Sequence, residues 1–271
     1  MGKRTPQEEM EAFLTGADRV SAAMRRVFSH VPSGPNCKVC AAPFGGPGGA
    51  VLRHLGFGRY PGNPLLCNFC IKSLQKQGVQ GAEIPVSLLF ADIRGSTGIG
   101  ERLSATEFRA FLDRFYRLAS DAVLTSGGLV DKFVGDEVIG LFFRGVSGDG
   151  HTAAAVAAGQ QLLARAAADP SGAIPVGAAV HTGQAFVGST ATDDLVSDFT
   201  ALGDVVNTTA RLAGEAGAGE LLVSAEAADA AALDVAAFES RSVAVRGRSE
   251  SVDVVVLGPA GEPVGTPHRS A

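Results

Sequence analysis

Every cysteine of the 271-residue chain falls into one arrangement: Cys37 and Cys40 in CKVC, then 26 residues, then Cys67 and Cys70 in CNFC. Two residues between thiols let both sulfurs of a knuckle face one ion, and two knuckles complete a tetrahedral thiolate set. That set suits one Zn2+, with a [4Fe-4S] cluster as the alternative that the ligands alone leave open. Four thiolates leave no vacant coordination position, so the expected role is structural. A second group consists of oxygen donors. Asp92 ends the apolar run PVSLLFA, and Asp136 sits in the Gly135-Asp136 turn between LVDKFV and EVIGLFF. Carboxylates at neighbouring strand ends can hold Mg2+ or Mn2+ against a triphosphate, although aspartates there more commonly cap turns. IRGSTG after Asp92 can offer backbone N–H groups to phosphate, and the sequence has no Walker A motif to do so instead. Asn207 and Arg211, four apart on a predicted helix, share a face from which an amide and a guanidinium could grip ribose and phosphate. Taken alone, that pair reads as a solvated helix face.

The elements that must position these groups are written in the hydrophobic pattern. Residues 7–30 keep helical spacing and predict one amphipathic helix, which VPSGPN ends. Residues 85–91 predict a buried strand that delivers Asp92 at its C-terminal end. Ser104 and Glu107 are spaced as a capping box and open a helix that Gly127-Gly128 stops. The two hairpin strands around Gly135-Asp136 follow, then an Ala-rich helix over about 151–168 and the strand IPVGAAV. Strand, helix, strand, strand, helix, strand is the split βαβ, ferredoxin-like order of an α+β domain. A further helix over about 205–216 and a helix-and-strand section closing at VDVVVLG complete the pattern.

Composition narrows the function. With 23 Lys+Arg against 28 Asp+Glu the net charge is -5, which argues against a general nucleic-acid binder. No Trp and only 2 Tyr leave little aromatic surface for stacking on single strands. The opening MGKRTPQEEM has no apolar h-region, and no segment approaches the roughly 18 apolar residues of a membrane span, so a cytoplasmic chain with no membrane partner is expected.

FADIRGST, KFVGDEVIGLF, VGAAVHTGQAFVG and FTALGDVVNTTARL, in this order and at these separations, resemble the catalytic domain of class III nucleotidyl cyclases, the adenylyl and guanylyl cyclases. The resemblance covers about residues 85–258. With the helix and the cysteine spacing read above, it divides the chain into an N-terminal helix (1–35), a four-cysteine module (36–80), the cyclase domain (85–258) and a tail (259–271). By resemblance, Asp92 and Asp136 match the metal-binding aspartates, with the Ile93 backbone carbonyl as a further ligand, for two Mg2+ or Mn2+ per active site. Lys132 falls at the purine-reading position and Thr200 at its partner position. Many adenylyl cyclases have Asp at that partner position, and a Thr there looks like the subgroup that includes bicarbonate-responsive cyclases. Lys132 can donate to adenine N1 and Thr200 can accept from the N6 amine, which favours ATP, whereas a guanylyl cyclase would be expected to present Glu in place of Lys132. A Thr hydroxyl also donates, so its discrimination is softer than a carboxylate's. Asn207 matches the ribose-orienting residue and Arg211 the one that stabilises the α-phosphate in the transition state. Arg246, in VAVRGRSE, lies where the family often has a Lys on the terminal phosphates. Ser96 stands where Phe is frequent, and His181, in the HTG segment, is expected to be structural.

The implied activity is conversion of ATP to 3',5'-cyclic AMP and pyrophosphate for intracellular signalling. It implies a head-to-tail homodimer in which Asp92 and Asp136 of one chain face Lys132, Thr200, Asn207 and Arg211 of the other. The alternatives are a guanylate or diguanylate cyclase acting on GTP, the latter sharing Gly-Asp-Glu at 135–137, or a catalytically silent dimerising module.

Overall fold

The computed structural model describes residues 5–28, 30–31, 35–61, 63–76, 81–189, 199–244 and 251–259. In place of the single N-terminal helix expected over 7–30, the chain forms two, α1 (Pro6–Leu14) and α2 (Arg19–Phe28). Thr5 and Glu8 close a capping box at the start of α1. Gly16 then takes φ +73°, left-handed backbone just past the helix end, and Asp18 Oδ2 accepts from the Ser21 N–H at 2.6 Å to start the next helix. Apolar spacing runs through this break because Met10, Phe13 and Leu14 of α1 and Met24 and Phe28 of α2 all pack on one cluster.

The cysteine region contains α3 (Gly46–Leu52), a π-helical turn (Arg53–Phe57), a hairpin of β1 (Arg59–Tyr60) and β2 (Asn63–Cys67), and α4 (Asn68–Lys76). Next come β3 (Gly81–Ile93), α5 (Ser96–Arg102), α6 (Ala105–Thr125), β4 (Leu129–Val134), β5 (Glu137–Phe142), α7 (Arg144–Ser147) and α8 (His151–Ala167). The chain continues with β6 (Val176–Ser189), β7 (Phe199–Leu202), α9 (Asp204–Glu215), β8 (Leu221–Ser224), α10 (Ala225–Ala230), β9 (Glu239–Val243) and β10 (Val252–Leu257). One sheet runs β4-β5-β3-β6-β8-β10-β9, with β7 paired to β6. Its β4-β5-β3-β6 part, joined through α6 and α8, is the expected ferredoxin-like βαββαβ core.

Along β3, Val86, Leu88 and Phe90 point to one side of the sheet and Leu89, Ala91 and Ile93 to the other. Both faces are covered, which is why the strand reads as a continuous apolar run. Leu89, Ala91 and Ile93 share a cluster with Phe115 and Ala119 of α6 and Leu162 of α8. The opposite face receives Leu212 and Ala213 of α9, and the same cluster takes in α1 and all four cysteines. The core thus runs across the boundary expected near residue 80. At Gly145 the approach of α1 is so close that an added Cβ would lie 2.2 Å from the Leu14 carbonyl oxygen.

Candidate active site

Strand register brings Asp92 and Asp136 together. Asp92 pairs with Glu137 across β3 and β5, and the Ile93 N–H donates to the Asp136 carbonyl at 3.3 Å. Gly135 opens the intervening two-residue turn at φ +62°, a primed-turn position that glycine fills without strain. From α6, the Tyr116 hydroxyl donates to the Gly135 carbonyl while its ring lies 4.4 Å from that of Phe133, pinning the hairpin tip to the helix.

This end of the sheet is crowded with negative charge. Burial pushes the Asp92 carboxyl up to about 6; its ion pair with Arg94 pulls the other way, and Asp136 adds to the rise. Glu137 is pushed up to about 7 by burial and by the charges of Asp92 and Asp136. Asp92 Oδ1 is buried and has no hydrogen-bond partner among the described residues. Adjacent carboxylates with an unsatisfied buried oxygen form a donor set that fits a hard divalent cation. The Ile93 side chain is buried in the core, so only its backbone can join them. Arg94 Nη1 donates to the Gly214 carbonyl at 3.0 Å, tying the end of α9 to the Asp92 side chain. Neither Glu137 nor Arg94 stands among the expected site residues, although each lies within two positions of an expected aspartate.

A β-bulge assembles a second cluster. Val130 opposes Gly140 and Lys132 opposes Ile139, so Asp131 is the extra residue that re-aims this stretch of β4. Thr200, paired with Gly188 on β6, donates its hydroxyl to Asp131 Oδ2 at 2.8 Å. Lys132 Nζ lies 3.7 Å from Asp131 Oδ1, and the Asp131 side chain is only 3% exposed. Lys132 and Thr200 therefore meet around a buried carboxylate that the motifs do not single out. The signal available in the sequence was an acidic residue inside a half-buried strand.

Asn207 and Arg211 occupy successive turns of α9, both exposed. Among the described residues, no hydrogen bond or ion pair joins either of them to Asp92 or Asp136. Ser96 begins α5 after Gly95 at φ +69°, so part of the expected turn is a short helix. His181 is buried, with Nδ1 2.8 Å from the Ser224 hydroxyl that caps α10, in keeping with a structural role. Arg246 lies outside the described residues.

The four cysteines are buried, form no disulfide, and bring their sulfurs within 4.8 Å of one another. Cys37 and Cys70 are 3.9 Å apart at sulfur, and Cys40 and Cys67 3.6 Å. These values bracket the edge of about 3.8 Å expected for a tetrahedron with Zn–S bonds of about 2.3 Å. Hydrogen bonding within the group, first from Cys40, lowers the Cys37 thiol, while that from Cys37 raises Cys70. No described helix is long and apolar enough to cross a membrane.

No protein-family model matches the chain. It is similar to an adenylate cyclase of Anabaena cylindrica, 29% identical over 164 residues, which cover 54% of this chain and 32% of that protein. It is also similar to adenylate cyclase 1 of Rhizobium meliloti (strain 1021), 28% identical over 200 residues, 68% of this chain and 30% of that one. The chain thus spans about a third of the length of these curated relatives. Among solved structures, the adenylyl cyclase CyaB from P. aeruginosa superposes with a TM-score of 0.57 at 27% identity, covering 66% of this chain and 95% of that one. The guanylyl cyclase Cya2 superposes with a TM-score of 0.60 at 24% identity, over 71% of this chain and 99% of its own, a likeness of fold. The sheet order and these similarities together show that the chain resembles the adenylyl and guanylyl cyclase catalytic domains in fold and, more distantly, in sequence.

Proposed function

We propose that this chain is an adenylate cyclase that converts ATP to 3',5'-cyclic AMP and pyrophosphate, working as a homodimer. The observation that carries this reading is the polar cluster of Lys132, Asp131 and Thr200, in which Thr200 and Asp131 meet although 69 positions apart. A lysine can donate to adenine N1 and a hydroxyl can accept from the N6 amine, an edge complementary to adenine. Asp92, Asp136 and the Ile93 carbonyl would hold the divalent cations, Mg2+ or Mn2+. When bound, these supply positive charge that favours ionisation of the ribose 3'-hydroxyl and departure of pyrophosphate.

The chain's own groups do the rest. Asn207 orients the ribose so that its 3'-oxygen stands in line with the α-phosphorus. Arg211 donates to the α-phosphate oxygens as charge builds there during attack, and Arg246 contacts the terminal phosphates. The new bond forms between the 3'-oxygen and the α-phosphorus, and the bond to the β-phosphate bridging oxygen breaks.

Each active site is shared. Among the described residues, no hydrogen bond or ion pair joins Asn207 or Arg211 directly to the aspartates of their own chain, and the apolar residues Phe133, Val134 and Leu202 stand 39%, 53% and 51% exposed beside Lys132 and Thr200. Exposed apolar surface around a half-site supports a subunit contact there. One chain thus offers its aspartates to one site and its Lys132, Thr200, Asn207 and Arg211 to the other. The cysteines hold one structural zinc. Their sulfurs are spaced for a single ion, whereas the four thiolates of a [4Fe-4S] cluster each bind a different iron.

The decisive assay supplies ATP and GTP separately with Mg2+ or Mn2+ and separates the products. Cyclic AMP from ATP is expected; cyclic GMP or cyclic di-GMP as the main product would overturn the substrate assignment. Mixing inactive Asp136→Ala with inactive Arg211→Ala rebuilds one intact site in each mixed dimer. Recovery of activity is expected, and none despite demonstrated subunit exchange would reject shared sites.

A further inference from the structure

Thr200 alone is an ambiguous reader of a purine. Its hydroxyl can accept a hydrogen bond from the N6 amine of adenine or donate one to O6 of guanine. In this structure that ambiguity is removed, because the hydroxyl proton points to Asp131 Oδ2 at 2.8 Å. We infer that Asp131 is a specificity-determining residue: by taking the Thr200 proton it leaves the Thr200 oxygen only its lone pairs to present, and so favours adenine over guanine. The inference rests on the adenylate cyclase reading and deepens it.

Three observations converge on this role. Asp131 is the extra residue of the β4 bulge, so its carboxylate and the Lys132 ammonium sit in one cluster although neighbouring strand residues ordinarily face opposite sides. The carboxylate is 3% exposed, which keeps water from competing for the Thr200 proton. An ionised carboxylate is acceptor-only and cannot turn to donate to Thr200. Lys132 Nζ, 3.7 Å from Oδ1, sets an opposite charge beside that carboxylate. The lysine reinforces the same choice, since it donates to adenine N1, whereas guanine carries a hydrogen there and would meet donor with donor.

Asp131→Asn separates this role from packing, because the two side chains are nearly isosteric. The asparagine would turn its carbonyl toward the Lys132 ammonium and its NH2 toward Thr200, reversing the Thr200 hydrogen bond and freeing the hydroxyl to donate to guanine O6. The measurement is the ratio of kcat/KM for ATP to that for GTP in the 271-residue chain, a ratio insensitive to how much of a preparation is folded. Asp131→Asn is expected to lower it about tenfold, the scale of one hydrogen bond's discrimination. Thr200→Val is expected to erode the ratio too, and adding Asp131→Asn to Thr200→Val to change it no further. An unchanged ratio in Asp131→Asn, with both activities merely lowered together, overturns the inference and leaves Asp131 a structural residue. Should that variant yield no soluble enzyme, Thr200→Val decides: a wild-type ratio there overturns the inference, since Asp131 acts only through that hydroxyl. Failure of the underlying reading is visible separately, as a wild-type enzyme that does not cyclise ATP, and would take this inference with it.

Discussion

At the scale of residues, Arg211 is exposed on α9 with no ion pair among the described residues, a guanidinium held by its helix and open to a ligand. If it meets the charge that builds on the α-phosphate, its removal costs the transition state more than the ground state. Arg211→Ala is expected to lower kcat about hundredfold to thousandfold, the usual effect of deleting one preorganised donor, with KM for ATP changed far less. Steady-state kinetics check this, and an unchanged kcat would end the assignment. Arg211→Lys should recover little of the loss, because an ammonium lacks the planar fork. Asp131 shows what motif reading cannot see at this scale. Lys132 and Thr200 are named by residue type and position alone, but which partner receives the Thr200 proton depends on a bulge that turns the preceding residue. Neither the bulge nor the direction of a hydrogen bond is written in the spacing of residue types.

At the scale of elements, the meeting of Asp92 and Asp136 depends on the hairpin tip between β4 and β5, and α6 holds that tip. Tyr116 does so twice, through its ring against Phe133 and through its hydroxyl on the Gly135 carbonyl, one residue before Asp136. Tyr116→Phe keeps the ring and deletes the hydroxyl. It is expected to raise the concentration of Mg2+ or Mn2+ giving half-maximal activity by about two- to tenfold, the scale of one net hydrogen bond, with little change in thermal stability. A metal titration of the variant tests this, and an unaltered metal requirement would leave Tyr116 as packing alone. Much of this level was legible. The capping box of Ser104 and Glu107 does begin α6, and Gly135-Asp136 does turn the hairpin, because both depend on local chemistry. The break between α1 and α2 was not legible, since tertiary packing on a shared cluster keeps the apolar period intact across Gly16. The extension of β3 back to Gly81 also escaped the pattern, because its start depends on pairing with β6 rather than on its own composition. The same distinction separates the site residues that were expected from Glu137 and Arg94, which matter through where the sheet register sets them.

At the scale of the whole molecule, the cysteine cluster is part of the same core as the central sheet. Cys37, Cys40, Cys67 and Cys70 share a hydrophobic cluster with Val86, Leu88 and Phe90 of the central strand and Leu212 of α9, the helix that carries Asn207 and Arg211. Among the described residues the cysteine region and the sheet share one apolar cluster, so the two should melt as one cooperative unit. An ion that binds the four thiolates only in the folded state stabilises that whole unit, and its removal leaves buried thiols packed for a partner they have lost. Stripping the proposed zinc with a strong chelator is therefore expected to lower a single unfolding temperature by at least about 5 °C, each kcal/mol at this size being worth about 2–4 °C. Because the chain has no Trp, calorimetry or far-ultraviolet circular dichroism is the suitable measurement. Gly145→Ala supplies a metal-independent comparison: its methyl group would drive the Leu14 carbonyl off the domain and lower the same transition without releasing metal. Two separate transitions, with the larger unmoved by chelation, would show instead that the cysteine region folds on its own and leaves the cyclase sheet indifferent to it.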